Sequence, residues 1–283
     1  MKRAWRVTGR AFILAVAAPG LAGATGFVES PMVSRAQLVS SLQTARPGQP
    51  FWIAIHIALD DGWHTYWRNP GDSGATPVVA WRLPAGVEVE SISWPYPSLF
   101  REGPLVTYGY SDNAWLFTRV TAPAEESNNG SLRIAADVEW LVCRDICIPQ
   151  YAELTLSVPL ASKEETGSTS PPGFMEALAD VPQSSPAAAF YEVDAERFAL
   201  MMATPVVDVR EAWFFPYDYG VIDYAADQEM RNDEQGLHLW TRRATHGGEV
   251  PATIAGALVV RDASGHRAFE IIAVPASTKD DRK

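Results

Sequence analysis

The only two cysteines of this 283-residue chain, Cys143 and Cys147, are its strongest candidates for chemistry. Residues four apart in an extended strand lie about 13 Å apart, whereas a disulfide needs Cα atoms within roughly 4.4–6.8 Å. A disulfide between them therefore requires the chain to turn at residues 144–146. Apolar residues alternate on both sides of this turn, which predicts two strands and places both cysteines on the face away from the core. The pattern favours a three-residue hairpin loop over one turn of helix.

A disulfide between these cysteines has two interpretations. The first is a plain cross-link, although the chain-entropy treatment gives only about 2 kcal/mol for so small a ring. The second is thiol–disulfide exchange, because a short-range bridge that faces away from the core is easier to exchange than a buried one. The spacing and the facing of the pair favour exchange.

Metal binding is the weaker alternative for the same two thiols. A structural zinc site needs about four ligands, and the five histidines are dispersed along the chain without ligand spacing: His56, His64, His238, His246 and His266. Only copper(I) suits a pair of soft thiolates. We predict no metal site and no cofactor, and keep copper(I) handling or copper tolerance as an alternative function.

The first 24 residues have the pattern of a secretory signal peptide. A basic start without any acidic residue is followed by an apolar stretch at residues 11–18, which ends at Pro19 and Gly20. This stretch is far shorter than the roughly 20 residues that a membrane-spanning helix needs. We expect cleavage near residue 24 and a soluble chain in the periplasm, without a transmembrane segment.

The composition of the chain disfavours a nucleic-acid partner, and its periodicity predicts the fold. The formal net charge is −11, which makes nucleic acid a poor partner. Alternating apolar residues and frequent turn signals predict many short strands, and therefore an all-β chain of two immunoglobulin-like β-sandwich domains in tandem. We place the first domain at residues 30–160, a linker at 161–188 that contains one short helix, the second and smaller sandwich at 189–276, and a solvated tail at 277–283.

Three sequence stretches carry a family resemblance. They are GWHTYWRNPGDSG at residues 62–74, WPYP at 94–97 leading to YGY at 108–110, and the segment 137–149 with WLVCRDICIP at its end. Together they resemble the N-terminal periplasmic part of the membrane thiol:disulfide reductase DsbD, especially its ScsB-type relatives. The resemblance covers residues 33–158, with fainter similarity at 213–216 and 220–223. It implies an immunoglobulin-like first domain.

The resemblance also implies roles and partners. Cys143 and Cys147 would be the redox pair of a protein-disulfide reductase, which takes electrons from a membrane reductase or a thioredoxin-like protein and passes them to disulfide-containing periplasmic clients. The family has a cap loop that shields the pair until a partner docks. The matching residues here are Leu105, Val106, Thr107, Tyr108, Gly109 and Tyr110, with Tyr108 as the expected shielding ring.

Two questions stay open at the level of sequence. Residues 62–74 are most simply a packed turn, although His64, Arg68 and Asp72 could dock partners or hold the cap. Family members usually continue into a membrane domain and a thioredoxin-like domain, so we expect this sequence to be a fragment or to work in trans. A non-catalytic protein-binding module, in which the disulfide only pins a hairpin, is the competing function.

Overall fold

The computed structural model describes residues 32–123, 130–160, 170–203, 206, 208–245, 248 and 251–276. The predicted signal peptide and the predicted tail at residues 277–283 lie outside this part of the chain. The described residues form strands with one short helix, which confirms the predicted all-β class. No helix within these ranges is long and apolar enough to cross a bilayer.

Ten strands form two sheets in the first part of the chain. One sheet has the order β1-β2-β8-β5, and the other has the order β10-β9-β3-β7-β6, with β4 paired to β9. The strands are β1 Ser34–Ser40, β2 Pro50–Leu59, β3 His64–Gly71, β4 Val78–Arg82, β5 Glu88–Val89, β6 Ser98–Glu102, β7 Leu105–Ser111, β8 Asn113–Thr121, β9 Ser131–Cys143 and β10 Cys147–Pro159.

The core between these sheets follows the alternation of the sequence. Phe51, Ile53, Ile55 and Ile57 on β2 are all at most 5% exposed, and they belong to one cluster with inward residues of β9 such as Ile134. Burying each of these side chains contributes roughly 1.5–3 kcal/mol. The predicted sandwich is confirmed, and the long β9–β10 hairpin is anchored in it along its whole length.

A second group of strands follows residue 170. It forms one sheet with the order β14-β17-β18-β12-β13-β16-β15, and β11 pairs with β18. The elements are α1 Phe174–Ala179, β11 Gln183–Ser184, β12 Ala189–Val193, β13 Arg197–Met202, β14 Glu211–Pro216, β15 Glu229–Asp233, β16 Gly236–Arg242, β17 Ile254–Asp262 and β18 Gly265–Pro275. The domain limits given above remain predictions.

The segment predicted as a linker is attached to the first sandwich. Helix α1 forms where the sequence predicts it, and its Phe174 is fully buried. The Phe174 ring lies 5.8 Å from the ring of Trp115 and 5.0 Å from that of Phe117, on the outer face of the four-stranded sheet. The Phe174 ring therefore anchors the helix of this Ser- and Pro-rich segment, and its β11 pairs with β18 of the second group of strands. Residues 161–169 lie outside the described residues.

Aromatic contacts join β3 to the second group of strands. The Trp67 ring lies 6.1 Å from the Phe215 ring, and both side chains are buried. The guanidinium carbon of the neighbouring Arg68 lies 3.9 Å from the centroid of Tyr217, a cation–π contact. One strand of the first sandwich thus provides part of the junction with the second.

Asn69 adds a buried hydrogen-bond network to the same junction. Its side chain is fully buried, and its Nδ2 donates to the carbonyl oxygens of Pro216 and Asp218. The Tyr224 hydroxyl lies 3.4 Å from Asn69 Oδ1, which also accepts from the N–H of Gly71 at 3.1 Å. Because buried amides are costly unless they are paired, this network fixes the position of β3 against the second group of strands.

Candidate functional site

The β9–β10 hairpin brings the two cysteines together. Cys143 pairs directly with Cys147 across the hairpin, their Cα atoms are 4.1 Å apart, and their sulfurs are bonded. The loop consists of residues 144–146, and the N–H of Arg144 donates to the carbonyl oxygen of Ile146. The predicted three-residue hairpin is therefore confirmed.

The two cysteines differ in their access to solvent. Cys143 is only 2% exposed, whereas Cys147 is exposed. Both side chains share one face of the six-stranded sheet, because directly paired residues do. We call this the cysteine face. Cys143 is nevertheless covered, since β3 runs beside it and pairs His64 with it.

Strand β3 places two rings on the cysteine face. His64 lies directly opposite Cys143, and Tyr66, two residues further along, shares the same face. The Tyr66 hydroxyl lies 3.9 Å from Sγ of Cys147. Gly74 leaves room for this ring, because a Cβ there would come within 2.1 Å of it. The loop after β3 thus holds Tyr66 against the disulfide.

The β6–β7 hairpin covers this site from the other side. The Phe100 ring on β6 stacks on the imidazole of His64, with centroids 4.7 Å apart. Glu102 Oε1 lies 4.0 Å from His64 Nε2. Between β3 and β6, strand β7 contributes Gly109, which packs so closely that a Cβ would lie 1.9 Å from the carbonyl oxygen of Thr65. A side chain at this position would therefore collide with the backbone of β3.

Burial sets the protonation of both rings. Burial lowers the pKa of His64 from its ordinary value, and the Coulomb attraction of Glu102 opposes this only in part. Burial, followed by repulsion from Glu102, raises the pKa of Tyr66 to about 12. At neutral pH the site therefore contains a neutral imidazole and a phenol that keeps its proton.

Charges at the hairpin tip are exposed and largely offset one another. Arg144 Nε lies 3.1 Å from Asp145 Oδ2, and both side chains are more than half exposed. The Arg144 guanidinium also lies over the Trp63 ring, at 4.9 Å from its centroid. An exposed ion pair of this kind contributes about 0–1 kcal/mol, so it has little influence on the sulfurs.

The residues predicted as a cap loop form strand β7 instead. Leu105 is exposed and the next five residues are buried. Gly109 pairs with Tyr66 and so belongs to the cysteine face, which places the adjacent Tyr108 on the opposite face. There the Tyr108 ring packs against Phe215, at 5.0 Å, and against Tyr224, at 5.3 Å. The ring that stacks over the site is Phe100 of β6, not Tyr108.

The three residues predicted for docking or for holding the cap lie in different surroundings. His64 is at the disulfide, and Arg68 stacks on Tyr217 at the junction. Asp72 Oδ2 accepts a hydrogen bond from the N–H of Val106 at 2.7 Å. Asp72 thus fixes the start of β7, which is the second strand of the hairpin over the site.

Sequence reasoning missed three residues of the site: Tyr66, Phe100 and Glu102. Gly103 and Pro104 are a turn signal between Phe100 and β7 that could have indicated a second hairpin, whereas no local signal marked Tyr66. No group of three or more His, Cys, Asp or Glu side chains in the described part of the chain is arranged to hold a metal ion.

Comparison with known proteins relates the site to a known family. Residues 34–159 match the family described as thiol:disulfide interchange protein DsbD, N-terminal. The segment that holds both cysteines is thus similar to the DsbD N-terminal family. The match includes both cysteines, β3 and the β6–β7 hairpin, and it confirms the resemblance that the three sequence stretches carry. Thiol–disulfide chemistry in general is what this family implies for the domain.

Solved structures add a likeness of fold. The N-terminal periplasmic domain of ScsB from Proteus mirabilis matches with a TM-score of 0.56 and 18% identity, over 86% of this chain and 92% of that one. The periplasmic chaperone SfaE matches with a TM-score of 0.22 and 10% identity, over 86% of this chain and 100% of that one. This TM-score is too low to indicate a shared fold. No curated protein matches the chain. The ScsB likeness extends the shared fold beyond the matched DsbD-type domain into the second group of strands.

Proposed function

We propose that this protein is a periplasmic thiol:disulfide exchange module of the protein-disulfide reductase type. Its Cys143–Cys147 pair relays electrons from a membrane reductase or a thioredoxin-like donor to periplasmic client proteins that contain disulfides. The observation that carries the proposal is the unequal access of the two directly paired sulfurs. One sulfur is open to a partner, and the other is held in place behind it.

Access assigns an order to the two cysteines. Exchange proceeds by attack of a thiolate on a disulfide sulfur, so the attacking sulfur has to reach the partner. Cys147 is exposed at the hairpin tip, whereas Cys143 lies under His64 and its neighbours. Cys147 therefore forms the mixed disulfide, and Cys143 resolves it.

Electrons and atoms balance over the two steps. In the reduced protein the Cys147 thiolate attacks the client disulfide, which forms one mixed disulfide and releases one client thiolate. The Cys143 thiolate then attacks Cys147 Sγ, which forms the intramolecular disulfide and releases the second client thiolate. The client gains two electrons, the pair loses two, and a reduced donor restores the pair by the reverse sequence.

Trapping in the periplasm tests this proposal. A Cys143→Ala variant retains the accessible sulfur but cannot resolve the mixed disulfide, so covalent adducts should accumulate on non-reducing gels. A Cys147→Ala variant is the matched control, because its remaining sulfur is buried, and it should trap several-fold less. Mass spectrometry of the adducts would identify the donor and the clients.

Two outcomes would count against the proposal. If neither variant forms a reducible adduct, the pair does not exchange with partners and the disulfide only pins the hairpin. If Cys147→Ala traps as much as Cys143→Ala, the pair exchanges but the assigned order is wrong.

A further inference from the structure

His64 is a buried histidine with an unsatisfied nitrogen beside the resolving cysteine. Its residue is 5% exposed, and its Nε2 is buried without a hydrogen-bond partner among the described residues. Leaving such an atom unpaired costs roughly 1–3 kcal/mol. A buried polar atom that is kept at this cost needs a physical explanation, and catalysis is one of the few that apply.

His64 lies between Cys143 on β9 and Glu102 on β6. His64 lies directly opposite Cys143 in the β3–β9 pair, where Cβ atoms are about 4.5–5.5 Å apart. Glu102 Oε1 lies 4.0 Å from His64 Nε2. A nucleophile, a neutral base and a carboxylate are the groups that activate thiols in enzymes, and here they follow one another across the sheet. For the activation, the Cys143 thiol has to come within hydrogen-bond reach of the imidazole once the disulfide is reduced.

We propose that His64 accepts the proton of the Cys143 thiol during the resolving step, and that Glu102 stabilises the imidazolium that results. The inference rests on the proposed exchange function and names the proton acceptor for it. When Cys143 attacks the mixed disulfide, its proton moves to His64. The imidazolium then gives that proton to the client thiolate that leaves, so His64 ends the step neutral and the proton of Cys143 has passed to the client.

Other charged groups near His64 do not replace it as the base. Tyr66 on its own strand keeps its proton, since its pKa is raised to about 12. The elements packed around His64 carry further titratable or charged residues. Those on the strands are Arg68 on β3, Arg101 and Glu102 on β6, Tyr108 and Tyr110 on β7, and Asp137, Glu139 and Cys143 on β9. Those in the adjoining loops are Asp60 and Asp61 before β3, Asp112 after β7, and the paired Arg144 and Asp145 at the hairpin tip. Burial lowers the pKa of His64, so it is neutral and able to accept a proton at neutral pH.

Single-turnover reaction with the chromogenic disulfide dithiobis-nitrobenzoate separates the two steps. Attack by Cys147 releases the first nitrothiobenzoate, and resolution by Cys143 releases the second. A thiol with a pKa of about 8.5 is only about 3% ionised near pH 7. Loss of the base in His64→Gln should therefore slow the second phase about 10-fold near pH 7. The difference should shrink to within about twofold near pH 9.5, where the thiol ionises unaided.

Matched variants make the result decisive. His56→Gln removes a histidine of the same domain that stacks on Trp115 away from the disulfide, and it should leave both phases unchanged. Glu102→Gln alters a half-exposed side chain and should slow the second phase a few-fold with the same pH dependence. If His64→Gln does not fold, as judged by circular dichroism, Glu102→Gln decides alone.

The outcomes separate this inference from the function on which it rests. A second phase that keeps its wild-type rate and pH profile in His64→Gln overturns the role of His64 while the exchange function stands. The absence of even the first phase in the reduced wild-type protein overturns the exchange function itself. A pH-independent slowing would assign His64 a structural role and would also contradict the inference.

Discussion

The rings of His64 and Phe100 are stacked, with centroids 4.7 Å apart and planes 16° from parallel. This contact connects strand β3, which borders Cys143, to the β6–β7 hairpin. The tip of the hairpin, at residues 102–105, is exposed to solvent. Phe100 is the side chain of the hairpin that reaches the site. The stack therefore covers the side of the disulfide on which Cys143 lies, while Cys147 stays exposed.

Removal of the Phe100 ring should open the site. In Phe100→Ala the disulfide should be reduced several-fold faster by dilute glutathione, because the cover over His64 and Cys143 is lost. The rate is measured by alkylating samples over time and separating the oxidised and reduced forms on a gel. Phe190→Ala, which removes a half-buried ring of the second domain, is the control. Equal rates in Phe100→Ala and wild type would show that the ring does not limit access.

Removal of the Tyr66 hydroxyl should raise the thiol pKa of Cys147. The hydroxyl lies 3.9 Å from Sγ and keeps its proton at neutral pH, so it can donate to a thiolate. Tyr66→Phe should shift the pKa upward by about 0.5 units, the size of a weak hydrogen bond. The pH dependence of iodoacetamide alkylation in a Cys143→Ala background measures it. Tyr151→Phe, on the β9–β10 hairpin, is the control. An alkylation profile of Tyr66→Phe that is not shifted in pH would show that the hydroxyl does not stabilise the Cys147 thiolate.

His64 should make the fold sensitive to mild acid. Its pKa is lowered in the folded protein, so the unfolded chain, with a histidine pKa near 6.5, binds the proton more readily. The free energy of unfolding should therefore fall as the pH drops from about 6.5 toward 5. Urea midpoints across this range should decline less steeply in His64→Gln than in wild type. Parallel curves would mean that His64 does not contribute.

Asn69 should couple the two domains. Asn69→Ala leaves the carbonyl oxygens of Pro216 and Asp218 without their shared donor in a buried junction. The free energy of unfolding should fall by about 2–4 kcal/mol, and urea unfolding should separate into two transitions. Asn113→Ala, which removes an exposed hydrogen bond to His56, should cost less than about 1 kcal/mol. A single unshifted transition in Asn69→Ala would contradict the coupling.

The elements that sequence predicted well have one buried face. The row Phe51, Ile53, Ile55 and Ile57 is buried as its alternation indicates, and the cysteine hairpin follows from the same periodicity on β9 and β10. The short helix at Phe174 was predicted as well. In each case a local pattern was sufficient because one side of the element faces a core and the other does not.

The elements that sequence missed are buried on both faces or shaped by distant partners. Strand β3 has seven buried residues among eight, so the GWHTYWRNPGDSG stretch showed no alternation and was interpreted as a turn. Strand β7 is likewise buried on both sides, one side by the second domain. Long-range packing determines the structure of such segments, and the local sequence pattern does not reveal it.

The equilibrium reduction potential of the Cys143–Cys147 pair tests the central claim most directly. The purified protein is equilibrated in glutathione or dithiothreitol redox buffers, and the fraction of disulfide is counted by alkylation and mass spectrometry. Structural disulfides lie below about −300 mV, whereas exchanging ones lie above it. Exchange as the function of the pair predicts a value well above −300 mV. A value at or below −300 mV would show that the bridge is a structural cross-link and would contradict the account.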